Sequence, residues 1–151
     1  MAIPARRSLH LAELLSSRVC HDFASGLGTV TNSLQVARDG FEQETEALDL
    51  AAEAAMEMVH RLRLLRAAWG GDYDEMTVAE LRKLSAGLSG SRLQVHLDGI
   101  DPDTRFAADA ARLVLNVMLL GAECLPYGGV IAFHGDGQRE LLVSITGPSA
   151  A

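Results

Sequence analysis

The chain has 151 residues, a formal charge of −7 and 48% apolar residues, with only 5% aromatics. That length allows one ordinary domain or two small ones with a buried core, and the acidic balance argues against nucleic acid, whose binders carry basic patches. Cys20 and Cys124 lie far apart without a CxxC, which excludes a disulfide framework or zinc pattern and suggests a reducing cytoplasm.

In chain order, MAIPARRSLH carries two arginines with no apolar segment behind them, so no secretory signal is expected. Helical spacing begins at Leu9. Cys20, Phe23, Leu27, Val30, Leu34 and Ala37 step by three and four, the period of a packed helix pair. Asp39-Gly40 ends the run, with glycine just past the helix. Leu48, Ala51, Ala55, Met58, Leu62, Leu65 and Trp69 repeat the alternation until Gly70-Gly71. The break at Gly40 is short, so the two helices fold back as an antiparallel hairpin of roughly 28–30 residues each, about 40–45 Å long. A lone hairpin leaves part of its apolar seam bare. The expected remedy is a two-fold homodimer that closes a four-helix bundle. Glu42, Glu46, Asp49, Glu53 and Glu57 read as a solvated face, and Arg61, Arg63 and Arg66 suit the dipole at the helix end.

After Trp69 the texture changes. Gly70-Gly71-Asp72 reads as a linker, and Thr77 to Glu80 fits a capping box before a short helix ended by Gly87 and Ser89-Gly90. Arg92 to Leu97 alternates as a strand. Asp101-Pro102-Asp103 reads as the start of a long helix running to about Leu125 and closed by Pro126 and Gly128-Gly129. Its apolar run, Leu113 to Ala122, is too short to span a bilayer and is broken by Asn116. Strands Val130–His134 and Glu140–Thr146 follow, joined by Gly135-Asp136-Gly137. The expected fold is α+β: a helical hairpin over residues 1–71, then a small α/β sandwich over 72–151.

One residue past the seam position Cys20 stands His21, about 100° further round the helix and so at the groove edge. On its face lie Ser17, Ser25 and Gly28, all small, which leaves the imidazole uncovered. Unperturbed histidine titrates near pH 6.5, so much of it is neutral and nucleophilic in a cell. Asp22 beside it can orient the ring or accept its proton. A plain surface histidine is the other reading of this spacing. Cys20, His21 and Asp22 are sequential and point in different directions, which argues against a metal site.

The stretch SRVCHDFASGLGTVTNSLQV resembles the H-box of ChpT-type histidine phosphotransferases and, more distantly, the dimerisation and phosphotransfer domain of sensor kinases. His21-Asp22 matches the His–acid pair of that box. Ser25 falls where kinases often carry Thr or Asn, and Gly26 replaces the usual kinase proline. RLVLNVMLLGAECLPYGGVIAF is similar to the N-box helix of kinase ATP-binding domains: Asn116, Ala122, Pro126, Gly128 and Gly129 align, while Gly121 replaces the magnesium-holding asparagine. LLVSITGPSA resembles the strand ending in the adenine-binding glycine box. Gly147 is kept, the aspartate position is Ile145, and the second glycine position is Ser149. The stretch that would carry a nucleotide lid and second glycine box is not in the chain. Ile145 cannot accept a hydrogen bond from adenine and Gly121 offers no oxygen to a hard cation, so a degenerate, ATPase-like second domain that binds no nucleotide is expected.

The resemblance implies a cytoplasmic phosphotransfer intermediate rather than an ATP-dependent kinase. His21 would take a phosphoryl group from the receiver domain of a hybrid histidine kinase and pass it to the receiver of a response regulator. Magnesium would come from the receiver, and the chain itself would need no cofactor. Asp22 is the expected orienter, Arg18 a source of positive charge for the phosphoryl group, and Ser17 and Ser25 part of the landing surface. The second domain would help hold the regulator. A non-catalytic dimeric adaptor and an autokinase with an eccentric ATP site are the alternatives.

Overall fold

A computed structural model describes residues 5–40, 43–70, 74–88, 92–137 and 139–148. The expectations placed on Glu42, Gly71-Asp72, Ser89-Gly90 and Ser149 fall outside them. The elements are α1 (Ala5–Arg38), α2 (Glu44–Trp69), β1 (Glu75–Thr77), α3 (Val78–Ser85), β2 (Leu93–Gly99), β3 (Arg105–Ala107), α4 (Ala108–Cys124), β4 (Gly129–Gly135) and β5 (Leu141–Thr146). Among the described residues no helix is long and apolar enough to cross a membrane. The chain divides into two compact units between Met58 and Val59, with α2 contributing to both.

The first unit pairs α1 with the first half of α2. Small side chains line the contact: Ser33, Ala47, Ala51 and Ala54 are all buried. The approach is close at Gly26, where a Cβ would lie 2.6 Å from Met58 Cγ. The chain's own packing uses only part of each apolar stripe. On α1, Phe23, Val30 and Ala37 are partly covered, while Cys20, Leu27 and Leu34, seven residues apart, are exposed. On α2, Ala51, Met58 and Leu65 are covered, while Leu48, Ala55, Leu62 and Trp69 are exposed. Each stripe is therefore split lengthwise into a used and an unused half. Glu46, Asp49, Glu53 and Glu57 are exposed, as a solvated face requires.

In the second unit, β2, β4 and β5 form a three-stranded sheet in the order β2-β4-β5. β2 and β4 run parallel, paired from Leu93 opposite Gly129 to Gly99 opposite His134, and α4 lies in the crossover that a parallel pair needs. β5 runs antiparallel to β4, from Val130 opposite Thr146 to Gly135 opposite Leu141. In the connection between them, Asp136 Oδ1 accepts from the backbone N–H of Arg139 and of Glu140. Gly128 and Gly129 hold φ of +92° and +144° on the way from α4 into β4, backbone that side-chain-bearing residues rarely adopt. One sheet face is buried through Leu97, Ile131 and Phe133, and the other shows Gln94, His96, His134 and Ser144 to solvent. Leu81, Phe106, Val114, Leu115 and Met118 complete the core.

The helix expected from Asp101 begins only at Ala108. Asp101-Pro102-Asp103-Thr104 is a turn instead: Asp101 Oδ1 accepts from the Asp103 N–H and the Asp101 carbonyl from the Thr104 N–H. Proline suits the second position of such a turn as well as a helix start, so the signal served either. Residues 105–107 then pair antiparallel with β1, Met76 opposite Phe106, in a two-stranded sheet that local pattern did not reveal. The expected capping box is present. Glu80 N–H donates to Thr77 Oγ1 at 3.2 Å, and Thr77 N–H donates to Glu80 Oε2 at 2.8 Å.

These bonds hold the Glu80 carboxyl below its ordinary value near 4.5, the backbone bond from Thr77 contributing most. A depressed carboxyl stabilises the fold above its unfolded value and loses that contribution as pH falls through the folded one. Thr77→Ala is therefore expected to cost about 1 kcal/mol at neutral pH in a denaturant titration. The gap to wild type should narrow once the pH falls below 4.5.

Candidate functional site

Midway along α1 the His21 ring stands off the helix, with 81% of its side chain exposed. Ser17 and Ser25, one turn either side, are exposed, and around a Cβ built on Gly28 nothing lies within 4 Å. Glycine in a helix interior costs about 1 kcal/mol against alanine, and at Gly28 no packing contact explains the residue. Gly26, by contrast, is explained by Met58. The open face foreseen around His21 is thus present.

Asp22 is the opposite of its neighbour: its side chain is only 16% exposed. Its Oδ1 lies 3.1 Å from Arg18 Nε, one turn back, and 3.7 Å from His21 Nδ1. The second separation is longer than a hydrogen bond. Asp22 and Arg18, read from sequence as separate contributors, are therefore joined to each other. Their i,i+4 spacing was the signal that could have shown it. A histidine near an acid recurs at His10, whose Nδ1 is 3.7 Å from Glu13 Oε2, but there the acid is itself 66% exposed. What distinguishes His21 is a sheltered carboxylate held by an arginine beneath a bare imidazole.

Among the described residues no group of three or more His, Cys, Asp and Glu is placed to hold a metal ion. In the second unit, Gly121 and Ile145 lie close together. A Cβ on Gly121 would meet Ile131 Cδ1 at 2.7 Å and Ile145 Cδ1 at 3.4 Å. Isoleucine side chains fill the space an asparagine would need. Asn116 has a different task, which sequence reasoning missed. Its Oδ1 accepts from Trp69 Nε1 at 2.9 Å, and its Nδ2 donates to the carbonyls of Arg112 at 2.8 Å and Ala68 at 3.4 Å. It ties the end of α2 to α4.

A helical hairpin bearing an open imidazole, followed by a small α/β unit, defines a histidine-bearing two-part module. Residues 78–151, just under half of the chain, match the histidine phosphotransferase C-terminal domain. The chain is similar to protein phosphotransferase ChpT of Brucella abortus (strain 2308), with 28% identity over 149 residues, 91% of this chain and 66% of the relative. It thus spans just under two thirds of that relative's length. In fold it is similar to a solved bacterial phosphotransferase at a TM-score of 0.74 and 22% identity, over 97% of this chain and 71% of the other. The resemblance to ChpT-type histidine phosphotransferases that the motifs carry is borne out.

Proposed function

We propose that the chain is a histidine phosphotransferase that relays a phosphoryl group through His21, from the receiver domain of a hybrid histidine kinase to the receiver aspartate of a response regulator. The observation that carries this reading is the exposed His21 imidazole beside the sheltered Asp22 carboxylate, on the helix that matches the H-box. Phosphoryl transfer between proteins demands positioning and charge compensation more than covalent machinery. An open face of Ser17, Ser25 and Gly28 lets a receiver bring its aspartyl phosphate within reach of the ring. The sole acid beside His21 in sequence is engaged by Arg18, so the donor set suits no resident cation, and the receiver supplies the magnesium. The reading places the protein in the cytoplasm, where the exposed Cys20 and Cys124 stay reduced.

The second unit serves as a scaffold that holds the regulator and takes no nucleotide, because Ile131 and Ile145 fill the space beside Gly121. The working form is a homodimer. Leu27, Leu34 and Leu48 are each about half exposed, and a second copy buries them in a four-helix bundle. Leu27→Glu with Leu34→Glu is expected to convert the dimer into a monomer in sedimentation analysis, since burying two charges per copy is prohibitive.

The decisive experiment incubates the full chain with a phosphorylated receiver domain and looks for acid-labile phosphate on His21 by mass spectrometry. Stable binding with no transfer under any condition would instead establish an adaptor, and self-labelling from ATP an autokinase.

A further inference from the structure

We infer that Arg18 is a positioning residue that acts on His21 through Asp22: its guanidinium fixes one carboxylate oxygen toward the Nδ1 edge of the imidazole, leaving Nε2 as the attacking atom. This rests on the phosphotransfer reading for its consequence and on geometry for its content. A single oxygen, Asp22 Oδ1, stands between the two groups, 3.1 Å from Arg18 Nε and 3.7 Å from His21 Nδ1. The Asp22 side chain is 16% exposed while the ring is 81% exposed. The acid is therefore the fixed member and the imidazole the one free to turn. A rotation that shortens 3.7 Å by less than 1 Å makes the Nδ1–H···Oδ1 hydrogen bond. The exposed His10–Glu13 pair lacks this arrangement, because the residue one turn before Glu13 is Leu9.

The chemistry balances without a further reactant. With the proton on Nδ1, the Nε2 lone pair attacks phosphorus. The acyl oxygen–phosphorus bond breaks and its electron pair leaves on the receiver's carboxylate. The ring becomes a phospho-imidazolium whose Nδ1–H stays in place, and Asp22 accepts that bond and offsets the new positive charge. Arg18 holds the Asp22 carboxylate in place as an acceptor, so the acid orients the ring. Onward transfer is the reverse, with a second receiver carboxylate attacking phosphorus.

Direct contact of Arg18 with the phosphoryl group is the competing role, and a double-mutant cycle separates the two. Transfer from a phosphorylated receiver domain is timed for the full chain, Arg18→Ala, Asp22→Asn and the double variant. Each single change is expected to slow transfer about tenfold to a hundredfold, the size of loss that follows removal of a partner orienting a metal-bound histidine. The double variant should be no slower than Asp22→Asn alone, and Arg18→Lys should recover part of the rate. Multiplied losses in the double variant would overturn the inference in favour of direct phosphate contact. Nitrogen-15 NMR of the His21 ring supplies a readout that needs no transfer. The Nδ1–H tautomer should be enriched in the wild type and diminished in Arg18→Ala, and equal populations would sink the inference. If the full chain takes no label, the phosphotransfer reading fails while the tautomer comparison still judges Arg18.

Discussion

His21→Ala is expected to abolish phosphoryl acceptance from a phosphorylated receiver, lowering the rate by at least about 10⁴-fold, as removal of a sole nucleophile does. The fold should not notice. The ring is 81% exposed, so its loss leaves no cavity. Alanine is also a better helix former than histidine by several tenths of a kcal/mol, so α1 keeps its helix. The measurement is label transfer followed on a gel, with circular dichroism and sedimentation on the same sample to show that helix content and assembly persist. Undiminished acceptance by a well-folded variant would show that another residue is the nucleophile. The nearest competitor is His10, also exposed and also 3.7 Å from an acid. It lacks the sheltered, arginine-held carboxylate, so His10→Ala should transfer at the wild-type rate.

Phe106→Ala is expected to destabilise the second unit by about 3–5 kcal/mol in a denaturant titration, through lost burial plus the cavity left behind. Phe106 is 1% exposed, sits in β3 opposite Met76 of β1, and reaches the β4–β5 connection, where a Cβ on Gly137 would lie 3.1 Å from its Cζ. It therefore joins the small sheet to the hairpin of the large one. Against a typical domain stability of ~5–15 kcal/mol, this loss is a large share of the whole. Leu113→Ala is the control. That leucine is 64% exposed on α4, so its removal should change stability by no more than about 0.5 kcal/mol. A small effect at Phe106 would mean that β1 and β3 do not close the core as described.

Both variants bear on how the two halves divide the work. The helical hairpin presents the exposed His21 imidazole on an open, small-residue face. The α/β unit has its core built around Leu115, Met118, Ile131 and Phe133, and it presents no cluster of ligating groups among its described residues. Ile131, over Gly121, is part of that core. At Gly121, Ile131 packs so closely that a Cβ there would lie 2.7 Å from its Cδ1.

The sequence by itself determined what depends on near neighbours. The repeat of three and four along α1 and α2, the Thr77–Glu80 cap and the Gly135-Asp136-Gly137 turn each arise from contacts within a few residues, so each was legible. So was His21, because the small residues that leave it bare lie one turn away on the same helix. Tertiary structure decided the rest. An apolar stripe does not say which of its two edges meets the neighbouring helix. Only packing assigns Phe23, Val30 and Ala37 to the inside and leaves Leu27 and Leu34 outside. β1 and β3 are three residues each, too short to alternate visibly, and they exist because Glu75–Thr77 meets Arg105–Ala107 across some thirty residues of chain. The pairing of Arg18 with Asp22 lay in between. Its spacing was local, but the shelter that leaves the carboxylate 16% exposed comes from packing.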